Sequence, residues 1–145
     1  MNLQPRLRLA VMLAALSGIA LASVSPAMAA PSIYGMWVTD DRSAVIRINR
    51  CGSKLCGRIV RVLNPKAPKN DVHNPNPARR LKPLVGTRIL WGFVPAGNAW
   101  KNGRAYDPKS GKSYKSKLAV VRSGKLKVTG CVAFLCRSRY WTRAN

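Results

Sequence analysis

From Ile33 to the end of the chain, no stretch keeps apolar residues at helical spacing for three turns. Short alternating runs separated by Gly, Pro, Asn and Asp recur instead. Period-two alternation puts successive side chains on opposite faces of a strand, so the pattern restricts the fold to an all-β one. Strands are predicted at about 33–39, 43–50, 57–63, 87–94, 112–121, 125–130 and 136–143. Asn102-Gly103, between "NAWK" and "RAY", is a two-residue hairpin signal. Asp40-Asp41, "DPKSG" at 107–111 and Arg122-Ser123-Gly124 are further turns. About eight short strands joined by hairpin-length turns predict a small up-and-down antiparallel barrel, which leaves no open sheet edge. A barrel of that size is either filled by side chains or holds one small ligand, and strands this short leave a small cavity or none.

Alternation also assigns faces. Ala44, Ile46 and Ile48 share one, and Ile59, Arg61 and Leu63 share another, which sets an arginine on an apolar face. Ile89, Trp91 and Phe93 oppose Arg88, Leu90 and Gly92. Leu118, Val120, Leu126 and Val128 claim the inside of their strands, leaving Lys115, Lys117, Lys125 and Lys127 on one basic outer face, with Lys112 nearby.

Ahead of this region, Arg6 and Arg8 precede an apolar run from Leu9 to Val24, then Ser25-Pro26 and Ala27-Met28-Ala29. That order predicts a signal peptide over residues 1–29 and one domain over 30–145. The run is shorter than the roughly 20 residues of a transmembrane helix and is broken by Ser17 and Gly18. The two arginines are not adjacent, which favours general secretion over twin-arginine export. No cysteine follows the run to accept a lipid, so a soluble periplasmic or secreted product without a transmembrane segment is expected. The chain carries 26 Lys and Arg against four aspartates, no glutamate and one histidine, net +22. Only Arg6 and Arg8 leave with the signal peptide, so 24 cations against four acids remain, net +20. Such a field draws the protein to polyanions, or simply keeps it soluble.

Cys51 and Cys56 in "CGSKLC" match Cys131 and Cys136 in "CVAFLC". An oxidising compartment favours disulfides over a four-cysteine zinc site. Three connectivities are open. Local closure, Cys51 to Cys56 and Cys131 to Cys136, is favoured because each pair flanks a segment able to turn a hairpin.

Residues 64–86 hold five prolines and break every periodic pattern. Long irregular segments in small domains often serve as lids or binding loops. Asn64, Asn70, Asp71, Asn74 and Asn76 are each suited to turns closed by their own side chains. Catalytic material is scarce. His73 is the one histidine, no motif sets it beside a serine, the aspartates do not form a glycosidase pair, and no Gly-rich phosphate cradle is present. No enzyme activity, cofactor or metal is expected. The leading expectation is a binding module with a small ligand at the barrel mouth, framed by 64–86, with Trp91, Phe93, Trp100 and Tyr114 as wall and Asp71, Asn74 and Arg88 at the rim. The alternative is a filled barrel that holds an anionic envelope polymer or lipid against its basic outer face. Nucleic acid fits poorly, because aromatics are not interleaved with the lysines. Ligand identity and oligomeric state stay open.

Gly35-Met36-Trp37 near the start and Trp141-Thr142-Arg143 near the end, on an all-β pattern, resemble the lipocalin-like barrels. The resemblance implies that Trp37 closes the barrel base and that Arg143 packs across it, a planar cation over an apolar plug. A closer match covers nearly all of 33–143. "GMWVTDDRSAVIRINRCGSKLCGRIV", "NPNPARRLKPLVG", "WKNGRAYDPKSGKSY", "KLKVTGC" and "RYWTR" are similar, in order and spacing, to the domain-of-unknown-function family 2147 of small exported bacterial proteins. That resemblance implies a lipocalin-like barrel in the periplasm or outside the cell, with no established activity. The surplus of Lys and Arg in the loops departs from the family's usual balance.

Overall fold

The alternating runs pair in chain order. In the computed structural model, which describes residues 31–145, eight antiparallel strands form one closed barrel. They are β1 (Gly35–Val38), β2 (Ala44–Cys51), β3 (Lys54–Val62), β4 (Arg88–Ala96), β5 (Ala99–Asp107), β6 (Lys112–Val120), β7 (Leu126–Val132) and β8 (Leu135–Arg143). A single 3-10 turn, Pro77–Arg79, sits in the β3–β4 connection. The expected signal peptide lies outside the described residues. Among those described, no helix is long and apolar enough to cross a membrane.

The barrel is filled. Trp37, Ile46, Ile48, Leu55, Leu90, Phe93, Leu118 and Leu126 are fully buried. Fully burying one such side chain contributes roughly 1.5–3 kcal/mol, so the interior is the main source of stability. Closure is brief, since β1 meets β8 only through Trp37 with Arg143 and Val38 with Thr142. Side chains finish the seal. The Arg143 guanidinium lies 4.0 Å over the Trp37 ring, its Nη1 donates to the Tyr34 carbonyl at 2.7 Å, and Nη2 donates to the Ser32 carbonyl. Trp37 Nε1 donates to the Ile33 carbonyl at 2.9 Å. Gly35 adopts φ 119°, and a Cβ there would stand 2.8 Å from Arg143 Nη1. Trp141 pairs with Leu126 and is buried in the same core.

Three expectations need correction, all through bulges. Ile46 pairs with Ile59 while Val45 pairs with Arg61, so Val60 is an extra residue on β3. The face therefore flips after Ile59. Val62 packs on the core, while Arg61 and Leu63 are exposed instead of sharing the inward face with Ile59. On β4, Leu55 pairs with Phe93 but Gly57 with Leu90, again with one residue extra. Leu90 and Phe93 are consequently both buried inside, and Trp91, expected beside Phe93, faces out opposite exposed Arg104. Finally, Asn102-Gly103 is not a turn. The β4–β5 hairpin turns at Gly97-Asn98, and Asn102 (φ 58°) forms a bulge inside β5. The left-handed preference that marks Asn-Gly as a hairpin signal here serves that bulge. Gly103 takes the Phe93 ring, which any Cβ would overlap.

The two hairpins bracketed by cysteines are closed by Cys51–Cys56 and Cys131–Cys136, with Cα separations of 5.8 and 4.1 Å. The second pair sits directly across β7 and β8.

Candidate ligand-binding site

The proline-rich segment 64–86 forms a strap on the outside of the barrel. Its two limbs pair, with Asp71 N donating to the Lys82 carbonyl and Leu84 N to the Lys69 carbonyl, both at 2.9 Å. Side-chain turns hold the bend between them. Asn74 accepts from Asn76 N and Asn76 from Ala78 N, each at 3.0 Å, and Asn64 accepts from Lys66 N at 3.0 Å. Arg80 Nε donates to the Asn74 carbonyl at 2.8 Å. The strap returns to β3 where Gly86 N donates to the Ile59 carbonyl at 2.7 Å.

Asp71 anchors the strap to the wall. It is 2 % exposed and accepts at Oδ1 from the Tyr106 hydroxyl at 2.7 Å and at Oδ2 from Asn74 Nδ2 at 2.6 Å. Burial, then the bond to Asp71, pushes the Tyr106 hydroxyl above its ordinary value, which keeps it protonated as the donor. Tyr106 stands two residues from exposed Arg104 on β5, so it belongs to the outer face. Ile89 is the extra residue between the Leu90–Gly57 and Arg88–Arg58 pairs and joins the core cluster. Tyr106 is nonetheless buried, as is Leu84 of the strap. The strap thus covers Tyr106 on the outer wall.

Between strap and wall lies a cleft of about 680 Å³. Arg58, Arg79, Lys82 and Arg88 line it, and Asp71 is its one acid, already holding two hydrogen bonds. Trp91 and Tyr106 form its floor, with Arg88 6.0 Å from the Trp91 ring. Asn74, Thr87 and Ser113 add polar atoms. Arg58 Nη1 donates to the Gly86 carbonyl at 2.8 Å, tying one cation to the strap's return.

Of the residues expected at a ligand site, Asp71, Asn74, Arg88 and Trp91 meet in this cleft. It opens on the outer wall rather than at the mouth, because the interior is occupied by side chains. Phe93, Trp100 and Tyr114 are not among its lining. Phe93 is core, Trp100 stacks edge-on against Tyr34 at 5.9 Å, and Tyr114 packs over Gly130. Arg58, Arg79, Lys82 and Tyr106 belong to the cleft but were not singled out by the sequence. The charge surplus of the 64–86 segment was the one signal for Arg79 and Lys82, and no local signal marked Arg58 on β3 or Tyr106 on β5. His73 is exposed on the strap beside Gly111. Lys115 and Lys117 are exposed on the outer face of β6, Lys127 is half-buried on β7, and Lys125 lies in the preceding turn. Lys125, Arg42 and Arg61 line a second cleft of about 490 Å³.

Eight antiparallel strands closed in chain order, with an early tryptophan plugging the base under a C-terminal arginine, define a lipocalin-like barrel. The structure of protein HP1028 from Helicobacter pylori, described as belonging to the lipocalin family, superposes with a TM-score of 0.70 over 79% of this chain and 84% of that one, at 20% identity. The family described as an uncharacterized protein conserved in bacteria (DUF2147) matches residues 35–143, and the chain belongs to it. No curated protein matches the chain.

Proposed function

We propose that this protein is a non-catalytic binding module of the bacterial envelope that holds a small anionic molecule with an apolar body in the strap cleft. The observation that carries the reading is the cleft's composition: four cations around an aromatic floor, with its one acid already hydrogen-bonded. Guanidinium groups pair with carboxylate, sulfonate or phosphate, and Trp91 offers a flat apolar surface for the rest of the ligand. The lipocalin-like fold is consistent with binding, and the two disulfides with life in an oxidising compartment.

The test uses anilinonaphthalene sulfonate, an aromatic anion, titrated by fluorescence into the folded protein. One molecule is expected to bind, and Arg58→Gln with Arg88→Gln is expected to weaken it about tenfold or more, since hydrogen bonds to charged groups contribute about 1.5–3 kcal/mol. Equal affinity in that double variant would remove the cleft from consideration.

A further inference from the structure

The β7–β8 hairpin ends in an apolar tip that nothing in the described chain covers. Val132, Phe134 and Leu135 are 61 %, 101 % and 80 % exposed. The turn is at Ala133-Phe134, with Ala133 left-handed at φ 50°. The Cys131–Cys136 bond crosses the hairpin immediately below, so the apolar loop projects from a cross-linked stem.

Cations surround the tip. Lys115 pairs with Cys131 and Arg137 with Gly130, both exposed. Exposed Lys112 opens β6 at the same end. The four aspartates do not offset them. Asp40 is paired with Arg139, Asp41 with Lys109, Asp71 is buried under the strap, and Asp107 accepts from Lys109 N and Ser110 Oγ.

From this we infer that the β7–β8 tip docks the protein on an anionic phospholipid surface, Phe134 and Leu135 entering the interface while Lys115 and Arg137 meet the head groups. Shape and charge select this occupant. A convex tip of four residues is far smaller than the roughly 800 Å² per partner of a stable protein interface, whereas a bilayer accepts a projecting wedge. Apolar burial and attraction of basic residues to anionic lipid add in such binding. The inference is independent of the strap cleft, whose lining lies on the strap and on β3 to β6 and includes none of Val132, Phe134, Leu135, Lys115 and Arg137.

Co-sedimentation of the protein with vesicles tests it, comparing equal parts phosphatidylglycerol and phosphatidylethanolamine with phosphatidylcholine alone. Partition to the anionic vesicles only is expected. Phe134→Ser with Leu135→Ser should lower it at least about tenfold, because each side chain loses apolar burial. Lys115→Gln and Arg137→Gln should each lower it about fivefold at low salt. Phe134→Trp should bind at least as tightly as the parent, since tryptophan favours the interface. Anilinonaphthalene sulfonate binding should be the same in every tip variant, which separates this surface from the cleft. The inference is overturned if the parent does not sediment, if the serine double variant sediments like the parent, or if Phe134→Trp fails as serine does. It is equally overturned if the tip variant instead abolishes a dimer seen in solution, which would make the tip a contact between two copies.

Discussion

At the residue scale, the contacts that organise this barrel are close approaches with no room to spare. Phe93 lies flat on Gly103, so Gly103→Ala should destabilise by about 1–3 kcal/mol, the cost of overpacking. Adding Phe93→Leu should make the pair's effect smaller than the sum, because the obstructing ring is gone. Denaturant midpoints of the three variants measure this. Tyr106 supplies a different test. Its hydroxyl is held above its ordinary value by burial and by Asp71, so the folded state keeps the proton longer than the unfolded chain. The stabilisation is therefore complete below about pH 10, the unfolded value, and falls as pH rises beyond it. Tyr106→Phe should be less stable at neutral pH and should lose this alkaline decline, which unfolding curves between neutral and strongly alkaline pH would reveal.

At the element scale, the strap and the hairpins are separable units. Asp71→Ala removes the acceptor of both Tyr106 and Asn74 and leaves the phenol buried without a partner, which costs about 1–3 kcal/mol. Hydrogen exchange should quicken at the Asp71, Asn74 and Leu84 amides while the β6–β7 ladder stays protected. Exchange that rises equally in both would mean that strap and barrel open as one. Much of the strap's local chemistry could be read from its asparagines, three of which close turns as expected. Its place on the outer wall could not, because Tyr106 is 35 residues from Asp71 and nothing local pairs them. The Cys131–Cys136 loop is short, so Cys131→Ser with Cys136→Ser should cost only about 2 kcal/mol by chain entropy and leave the barrel folded.

At the scale of the whole molecule, charge is the dominant variable. The residues of the barrel carry 24 Lys and Arg against four aspartates, a net +20 that strains the compact state by self-repulsion. Raising salt from about 0.01 to about 0.15 M shortens the screening length from about 30 to about 8 Å, so thermal stability should rise over that interval. A flat or falling melting temperature would show that the cations are already neutralised locally. Acid works in the other direction at the β1–β2 turn. Burial alone would raise Asp41, but its bonds with Lys109, Ser43 and Thr39 outweigh that and hold it well below the usual carboxylate range. Its contribution is full above about pH 4, the ordinary value, and is lost as pH falls below it. Asp41→Asn should remove that part of the acid sensitivity, by no more than about 1 kcal/mol for so exposed a pair.

The alternation of apolar residues determined the class of fold, the approximate strand count and the inward set on β6 and β7, and the spacing of the cysteines favoured the local disulfides without excluding the other two pairings, because each of these depends on neighbours in the chain. Resemblance to a family added the lipocalin-like closure by Trp37 and Arg143. Only the tertiary structure decided the rest. Single extra residues in β3, β4 and β5 reverse the faces of Arg61 and Trp91 and turn Asn102-Gly103 from a hairpin into a bulge. Such residues are tolerated because a neighbouring strand or ring accommodates them, and that partner is distant in sequence. The strap follows the same physics. Its prolines and asparagines specify bends, but the direction it folds is set by a tyrosine on another strand, which places the cleft on the wall and leaves the barrel to its own core.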